Sequence, residues 1–177
     1  MIRILMLAAF YMLTPPSSPK TIYDFKVSSL TGKTIDFSQF KGKKILIVNT
    51  ASLCGYTPQY ADLEKLYDRF KSKLVIVGFP ANNFKQQEPG TNKEISEFCT
   101  TKYHITFPMA AKVSVKGDDT APIYQWLEAT AKAKGLSPAE PQWNFHKYLL
   151  DEKGDLVAVF PSATNPMDIK VVNAIAN

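Results

Sequence analysis

The chain has 177 residues, 45% of them apolar and 21% charged, a composition that suits one domain with its own core and excludes a low-complexity chain. A net charge of +5 is modest, and the clustered lysines Lys41, Lys43 and Lys44 have no interleaved aromatics, so nucleic-acid binding is not expected. Two cysteines and two histidines without metal-ligand spacing give no reason to expect a metal centre or a resident cofactor.

Taken in chain order, the start is unlike the rest. Met1-Ile2-Arg3 precedes an apolar run from Ile4 to Leu13, and Thr14-Pro15-Pro16-Ser17-Ser18-Pro19 then breaks it. A basic tip, a short greasy stretch and a Pro/Ser break read as a secretory leader or a disordered leader over residues 1–20, although no small-x-small cleavage site stands in the usual place. The run is too short for an ordinary transmembrane helix, so stable membrane insertion is not expected. The expectation is an exported protein, periplasmic if bacterial. The alternative is a cytoplasmic one whose first segment packs on the domain.

Residues 21–177 read as one domain. Thr21–Val27 and Lys33–Phe37 flank a Gly-containing turn, an N-terminal β-hairpin. Ile45–Thr50 is a continuous apolar strand suited to a buried central position. Pro58–Phe70 repeats Tyr60, Leu63, Leu66, Tyr67 and Phe70 at helical spacing. Leu74–Phe79 is a second buried strand. Thr91-Asn92-Lys93-Glu94 is a capping box opening a helix to about Thr101, with Ile95, Phe98 and Cys99 on its apolar face. Tyr103–Phe107 and Lys112–Val115 are expected as short extended segments. Thr120-Ala121-Pro122 opens another helix, with Ile123, Trp126, Leu127 and Thr130 inward. Phe145–Leu150 and Leu156–Phe160 form a hairpin across Asp151-Glu152-Lys153-Gly154. Asn165-Pro166 is expected to cap a last helix with Ile169, Val172 and Ile175 inward. The order implies an α/β fold with a mixed central sheet flanked by helices.

Within that frame Cys54 stands out. It follows the strand Ile45–Thr50 and precedes the helix at Pro58. A thiol at the C-terminal end of a strand, beside a helix N-terminus, meets free backbone N–H groups and the positive end of a helix dipole. In an α/β sheet that edge is also where ligands bind. If the strands ending at Thr50 and Phe79 are parallel, their loops leave on one edge, so Cys54 and Gln87 become neighbours. His146, two residues from Asn144, could approach the same place. His146 and His104 are each expected to be ordinary, partly exposed histidines.

Three segments carry a resemblance. Asn49-Thr50-Ala51-Ser52-Leu53-Cys54-Gly55, Gly78-Phe79-Pro80 through Gln87-Glu88-Pro89-Gly90, and Trp143-Asn144-Phe145-His146-Lys147-Tyr148-Leu149 resemble, in order and spacing, the glutathione peroxidase family in its cysteine-containing, non-selenium branch. The resemblance runs from about Tyr23 to the C-terminus. It implies a thioredoxin-like fold and a catalytic tetrad of Cys54, Gln87, Trp143 and Asn144. It also implies a thiol peroxidase, part of an oxidative stress response, that reduces hydrogen peroxide and organic hydroperoxides through a Cys54 sulfenic acid. The side-chain N–H groups of Gln87, Trp143 and Asn144 are uncharged donors that favour a thiolate over a thiol. They also stabilise charge on a leaving oxygen. Relatives often carry a basic residue at the position of Leu53 and a cysteine at that of Ala81.

The resemblance further implies that Cys99 is a resolving cysteine that forms a disulfide with Cys54, which requires the helix after Thr91 to unwind locally. A buried structural thiol is the other reading of Cys99. The short segment 132–141 lacks the insertion by which tetrameric relatives assemble. That implies a monomer recycled by a thioredoxin-like protein in preference to glutathione. Two other functions remain open: a thiol-disulfide oxidoreductase, although no second cysteine follows Cys54 at Cys-x-x-Cys spacing, and a non-enzymatic exported module with a structural disulfide. A peroxiredoxin would normally have threonine where Ala51 stands.

Overall fold

In the computed structural model, which describes Pro19 and residues 21–177, the apolar run after Lys43 forms the inner part of a four-stranded sheet. Apart from Pro19, the expected leader lies outside the described residues. The strands are β1 (Lys26–Ser28), β2 (Thr34–Asp36), β3 (Lys44–Thr50), β4 (Leu74–Pro80), β5 (Lys147–Leu150) and β6 (Leu156–Phe160). The helices are α1 (Gln59–Phe70), α2 (Asn92–Tyr103), α3 (Pro122–Ala133) and α4 (Ile169–Ala176). The sheet order is β4-β3-β5-β6. β3 runs parallel to β4 and antiparallel to β5, and β5 runs antiparallel to β6.

Both faces of β3 are covered, which is why its sequence is a continuous apolar run and not an alternating one. Ile45 and Ile47 join a core with Phe25, Phe37, Ile123, Tyr124 and Leu127, on the side of the hairpin and α3. Leu46 and Val48 join a second core with Tyr60, Leu63, Ile95, Cys99, Val172 and Ile175, on the side of α1, α2 and α4. Cys54 belongs to this second core. Among the described residues no helix is long and apolar enough to cross a membrane.

Several boundaries differ from the sequence expectation, each for a local reason. The N-terminal hairpin is shorter, pairing Val27 with Ile35, because 3-10 turns at Ile22–Asp24 and Phe37–Phe40 occupy its ends. Asp36 accepts from Ser38 N–H and starts the second of these turns. Tyr103–Phe107 and Lys112–Val115 form no strand. His104 ends α2 in the left-handed region, and Pro108 has no N–H to donate to a ladder. The N–H groups of Lys112, Val113 and Val115 go to Asn92 Oδ1, Pro80 O and Asn83 Oδ1. On α3 the fully buried residues are Ile123, Tyr124, Leu127 and Ala131, while Trp126 and Thr130 are half-buried.

The last helix starts later than expected. Asn165 Oδ1 accepts from Met167 N–H, closing a turn, and Asp168 is the cap, accepting from Lys170 N–H. Val171 therefore faces inward and Ile169 is 65% exposed. The Thr91–Glu94 capping box is present as read, with Thr91 N–H to Glu94 Oε2 at 2.7 Å.

Candidate active site

The Cys54 turn is built on β3 and locked by Thr57. Its hydroxyl donates to Ala51 O at 2.9 Å and accepts from Cys54 N–H at 3.0 Å, and its own N–H reaches Cys54 O at 3.0 Å. Nothing in the sequence reading singled out Thr57; its place just before Pro58 and the helix was the available signal. Cys54 is 7% exposed, between the exposed side chains of Leu53 and Tyr56. Its Sγ accepts one hydrogen bond, from Tyr56 N–H at 3.4 Å.

The second loop is tied to this turn. Leu53 N–H donates to Gln87 O at 3.0 Å, and Ser52 Oγ lies 3.1 Å from Glu88 Oε2. The loop reaches that position through two successive left-handed residues, Lys85 and Gln86, closed by Gln87 N–H to Phe84 O. That is the pattern of a type I′ turn without its usual glycine or asparagine. Asn82 Oδ1 accepts from Glu88 N–H, and Lys112 Nζ donates to Gly90 O at 2.6 Å and Glu88 O at 3.3 Å. Burial raises the Glu88 carboxyl, against the Ser52 hydrogen bond and the Lys112 charge.

The third segment meets the second directly. Asn144 Nδ2 donates to Gln87 Oε1 at 3.0 Å. Asn144 is fully buried and its Oδ1 has no hydrogen-bond partner among the described residues. The Trp143 ring packs on Phe84 at 5.5 Å between centroids, and Lys85 Nζ lies 5.8 Å above it. Gln87 Nε2 and Trp143 Nε1 make no hydrogen bond among the described residues.

All four expected site residues thus stand on loops that touch at one edge of the sheet. One expected contact is absent: no amide or indole N–H bonds to Cys54 Sγ, whose donor is the backbone of Tyr56. The Asn144 amide is turned to Gln87 instead. An apolar groove of about 200 Å³ runs beside the Cys54 turn, lined by Leu53, Pro89, Ile95 and Phe98.

Cys99 is not in this cluster. It sits on the inner face of α2, 2% exposed, and both cysteines are free thiols. Burial pushes its thiol up to about 11, with the Glu88 charge adding and the neighbouring Tyr60 hydroxyl opposing. Tyr60 packs its ring on Phe98, Tyr103 and Phe145, and so joins α2 to the segment bearing Asn144.

The histidines part company. His104 is exposed at the end of α2. His146, expected to be partly exposed, is fully buried, and neither ring nitrogen has a hydrogen-bond partner among the described residues. Burial first, and Lys147 second, lower it to about 4. Lys147 is itself buried and lowered to about 7 by desolvation.

Comparison with known proteins shows the family and the fold. The family described as glutathione peroxidase matches residues 22–128. The "Glutathione peroxidase-like peroxiredoxin gpx1" of Schizosaccharomyces pombe is 43% identical over 145 residues, covering 81% of this chain and 90% of the relative. The "Hydroperoxy fatty acid reductase gpx1" of Synechocystis sp. is 44% identical over 154 residues, covering 84% of this chain and 91% of the relative. Among solved structures, Trgpx in apo form aligns with a TM-score of 0.69 at 36% identity, covering 90% of this chain and 98% of that one. The fold is thioredoxin-like, as the order of elements implied.

Proposed function

The chain belongs to the glutathione peroxidase family, whose relatives are named as peroxidases, and from that premise we propose that it is a thiol peroxidase working through Cys54. The Cys54 sulfur, as thiolate, attacks one peroxide oxygen and the O–O bond breaks. The departing oxygen takes up a proton and leaves as water or an alcohol, and Cys54 keeps the other oxygen as a sulfenic acid. Gln87, Trp143 and Asn144 donate N–H groups to the oxygen on which charge develops. The observation that carries this assignment is the pair of uncommitted donors, Gln87 Nε2 and Trp143 Nε1, on loops tied to the Cys54 turn.

Cys99 is the resolving thiol in this reading. Its sulfur displaces the sulfenic oxygen as water and leaves a Cys54–Cys99 disulfide. The capped helix α2 opens locally for the two sulfurs to meet. A thioredoxin-like protein then exchanges its own dithiol for that disulfide, with glutathione the competing reductant. The groove beside Leu53 suits the alkyl part of an organic hydroperoxide. The protein works as a monomer. The apolar run Ile4–Leu13 supports export, and N-terminal sequencing of the protein from its host tests it.

Stopped-flow consumption of hydrogen peroxide and of an organic hydroperoxide, recycled by thioredoxin or by glutathione, tests the whole scheme. The expected result is turnover of both with thioredoxin. No peroxide consumption even in a single turnover would remove the assignment.

A further inference from the structure

Phe145 has φ of 65°, in the left-handed region, although it is a bulky residue that disfavours such a backbone. A conformation of that kind persists only when its surroundings over-determine it. Here they do so with a closed set of hydrogen bonds. Phe145 N–H donates to Asn49 O at 2.6 Å, and Asn49 N–H donates to His146 O at 3.3 Å. The Asn49 side chain spans the bend: its Nδ2 donates to Trp143 O at 3.1 Å, and its Oδ1 accepts from His146 N–H at 3.0 Å. Lys147 Nζ closes the other side, donating to Phe145 O at 2.6 Å and to Thr164 O at 2.7 Å.

The bend thus has its carbonyls and N–H groups taken on both sides of Asn144. Regular pairing of β5 with β3 begins only at Lys147 with Val48. The side chain of Asn144 goes instead to Gln87. Asn49 is a polar residue inside an apolar strand, and Lys147 is a fully buried lysine that bonds only backbone carbonyls among the described residues. Each is costly where it stands, and the bend is what each of them holds.

We infer that Asn49 and Lys147 are positioning residues for peroxide reduction, which hold Phe145 left-handed and thereby set Asn144, and with it Gln87, over the Cys54 turn. The inference rests on the peroxidase reading above. Neither residue touches peroxide; each acts through Asn144.

A double-mutant cycle tests it. The rate of Cys54 oxidation by hydrogen peroxide is measured by stopped flow in the full chain, for Lys147→Met and Asn144→Ala alone and together. Lys147→Met alone should slow oxidation about tenfold, and should cost less than about twofold once Asn144 is already alanine, because coupled residues do not add. Asn49→Ala, which keeps the backbone bonds and loses the two side-chain ones, should behave the same way against Asn144→Ala. The side-chain amide resonances of Asn144 should move in Lys147→Met and in Asn49→Ala, with melting still cooperative. Losses that simply add, an unmoved Asn144 amide, or unfolding of both variants at 25 °C would each overturn the inference. If the unaltered protein consumes no peroxide, the peroxidase reading fails first and separately.

Discussion

Both cysteines are buried, and they are differently placed by chemistry. Cys54 lies at a strand-to-helix turn whose sulfur accepts a backbone N–H, with uncommitted side-chain donors on the adjoining loops. Cys99 lies in the middle of a capped helix, packed with Ile95 in an apolar core, where burial holds its proton on up to about pH 11. Low exposure alone therefore says little about a thiol. What differs is the setting of the sulfur: a loop turn with a backbone N–H at Cys54, a helix face packed into an apolar core at Cys99.

The largest test of that contrast is to remove one sulfur at a time. Cys54→Ser should abolish peroxide reduction, a loss of at least about a thousandfold, since the remaining thiol, Cys99, is buried and holds its proton. Cys99→Ser should still reduce one equivalent of peroxide and then stall with thioredoxin. Peptide mapping of the oxidised protein should find the Cys54–Cys99 bond only in the unaltered chain. Equal single-turnover loss in the two variants would erase the distinction between them.

Gln87→Ala should have the next largest effect, about a hundredfold on the rate of Cys54 oxidation, as expected for one preorganised donor to a developing oxyanion. Trp143→Phe keeps the ring on Phe84 and loses only the indole N–H, so a smaller loss of about tenfold is expected. Retained rates in both would mean that the Tyr56 N–H suffices, and that the neighbouring loops are structural.

Labelling sharpens the contrast from the other side. Brief treatment of the reduced protein with iodoacetamide at pH 7 should modify Cys54 and spare Cys99. Cys99 should react appreciably only as the pH approaches 11, or in urea once α2 has melted. Rapid labelling of Cys99 at neutral pH, read by peptide mass, would show α2 already open.

How much of this was legible in the sequence follows the same division. Cys54, Gln87, Trp143 and Asn144 could be named as candidates because each sits in a motif, and parallel β3 and β4 put two of those motifs on one edge. The supporting residues were not found. Thr57 acts through its hydroxyl on backbone atoms, and Asn49 and Lys147 lie within strand segments whose pattern assigns neither of them a role. Their roles depend on backbone groups that pattern alone does not locate. The left-handed Lys85, Gln86 and Phe145 were equally invisible, since none is glycine or asparagine. Ile169 was misassigned because Asn165 and Asp168 both carry cap chemistry, and only the fold decides which one opens the helix.

His146 offers the smallest and cleanest check of the rule separating the two thiols, because it applies that rule to a base. Its ring is buried against Tyr148 at 4.7 Å between centroids, has no hydrogen-bond partner among the described residues, and lies beside Lys147. Burial there disfavours the charged form, as it does at Cys99, and the histidine is held down to about 4 from its ordinary 6.5. The unfolded chain therefore binds more protons at this residue between pH 6.5 and 4. Stability must rise with pH across that window, and fall as acid is added. The shift corresponds to at most about 3 kcal/mol, fully lost below pH 4. Carboxylates titrate in the same range, so the comparison is with His146→Leu, which keeps them all. Urea midpoints measured from pH 7 to pH 4 should drop less steeply in the leucine variant. Parallel curves for the two proteins would mean that the imidazole takes up its proton at no cost in the folded chain.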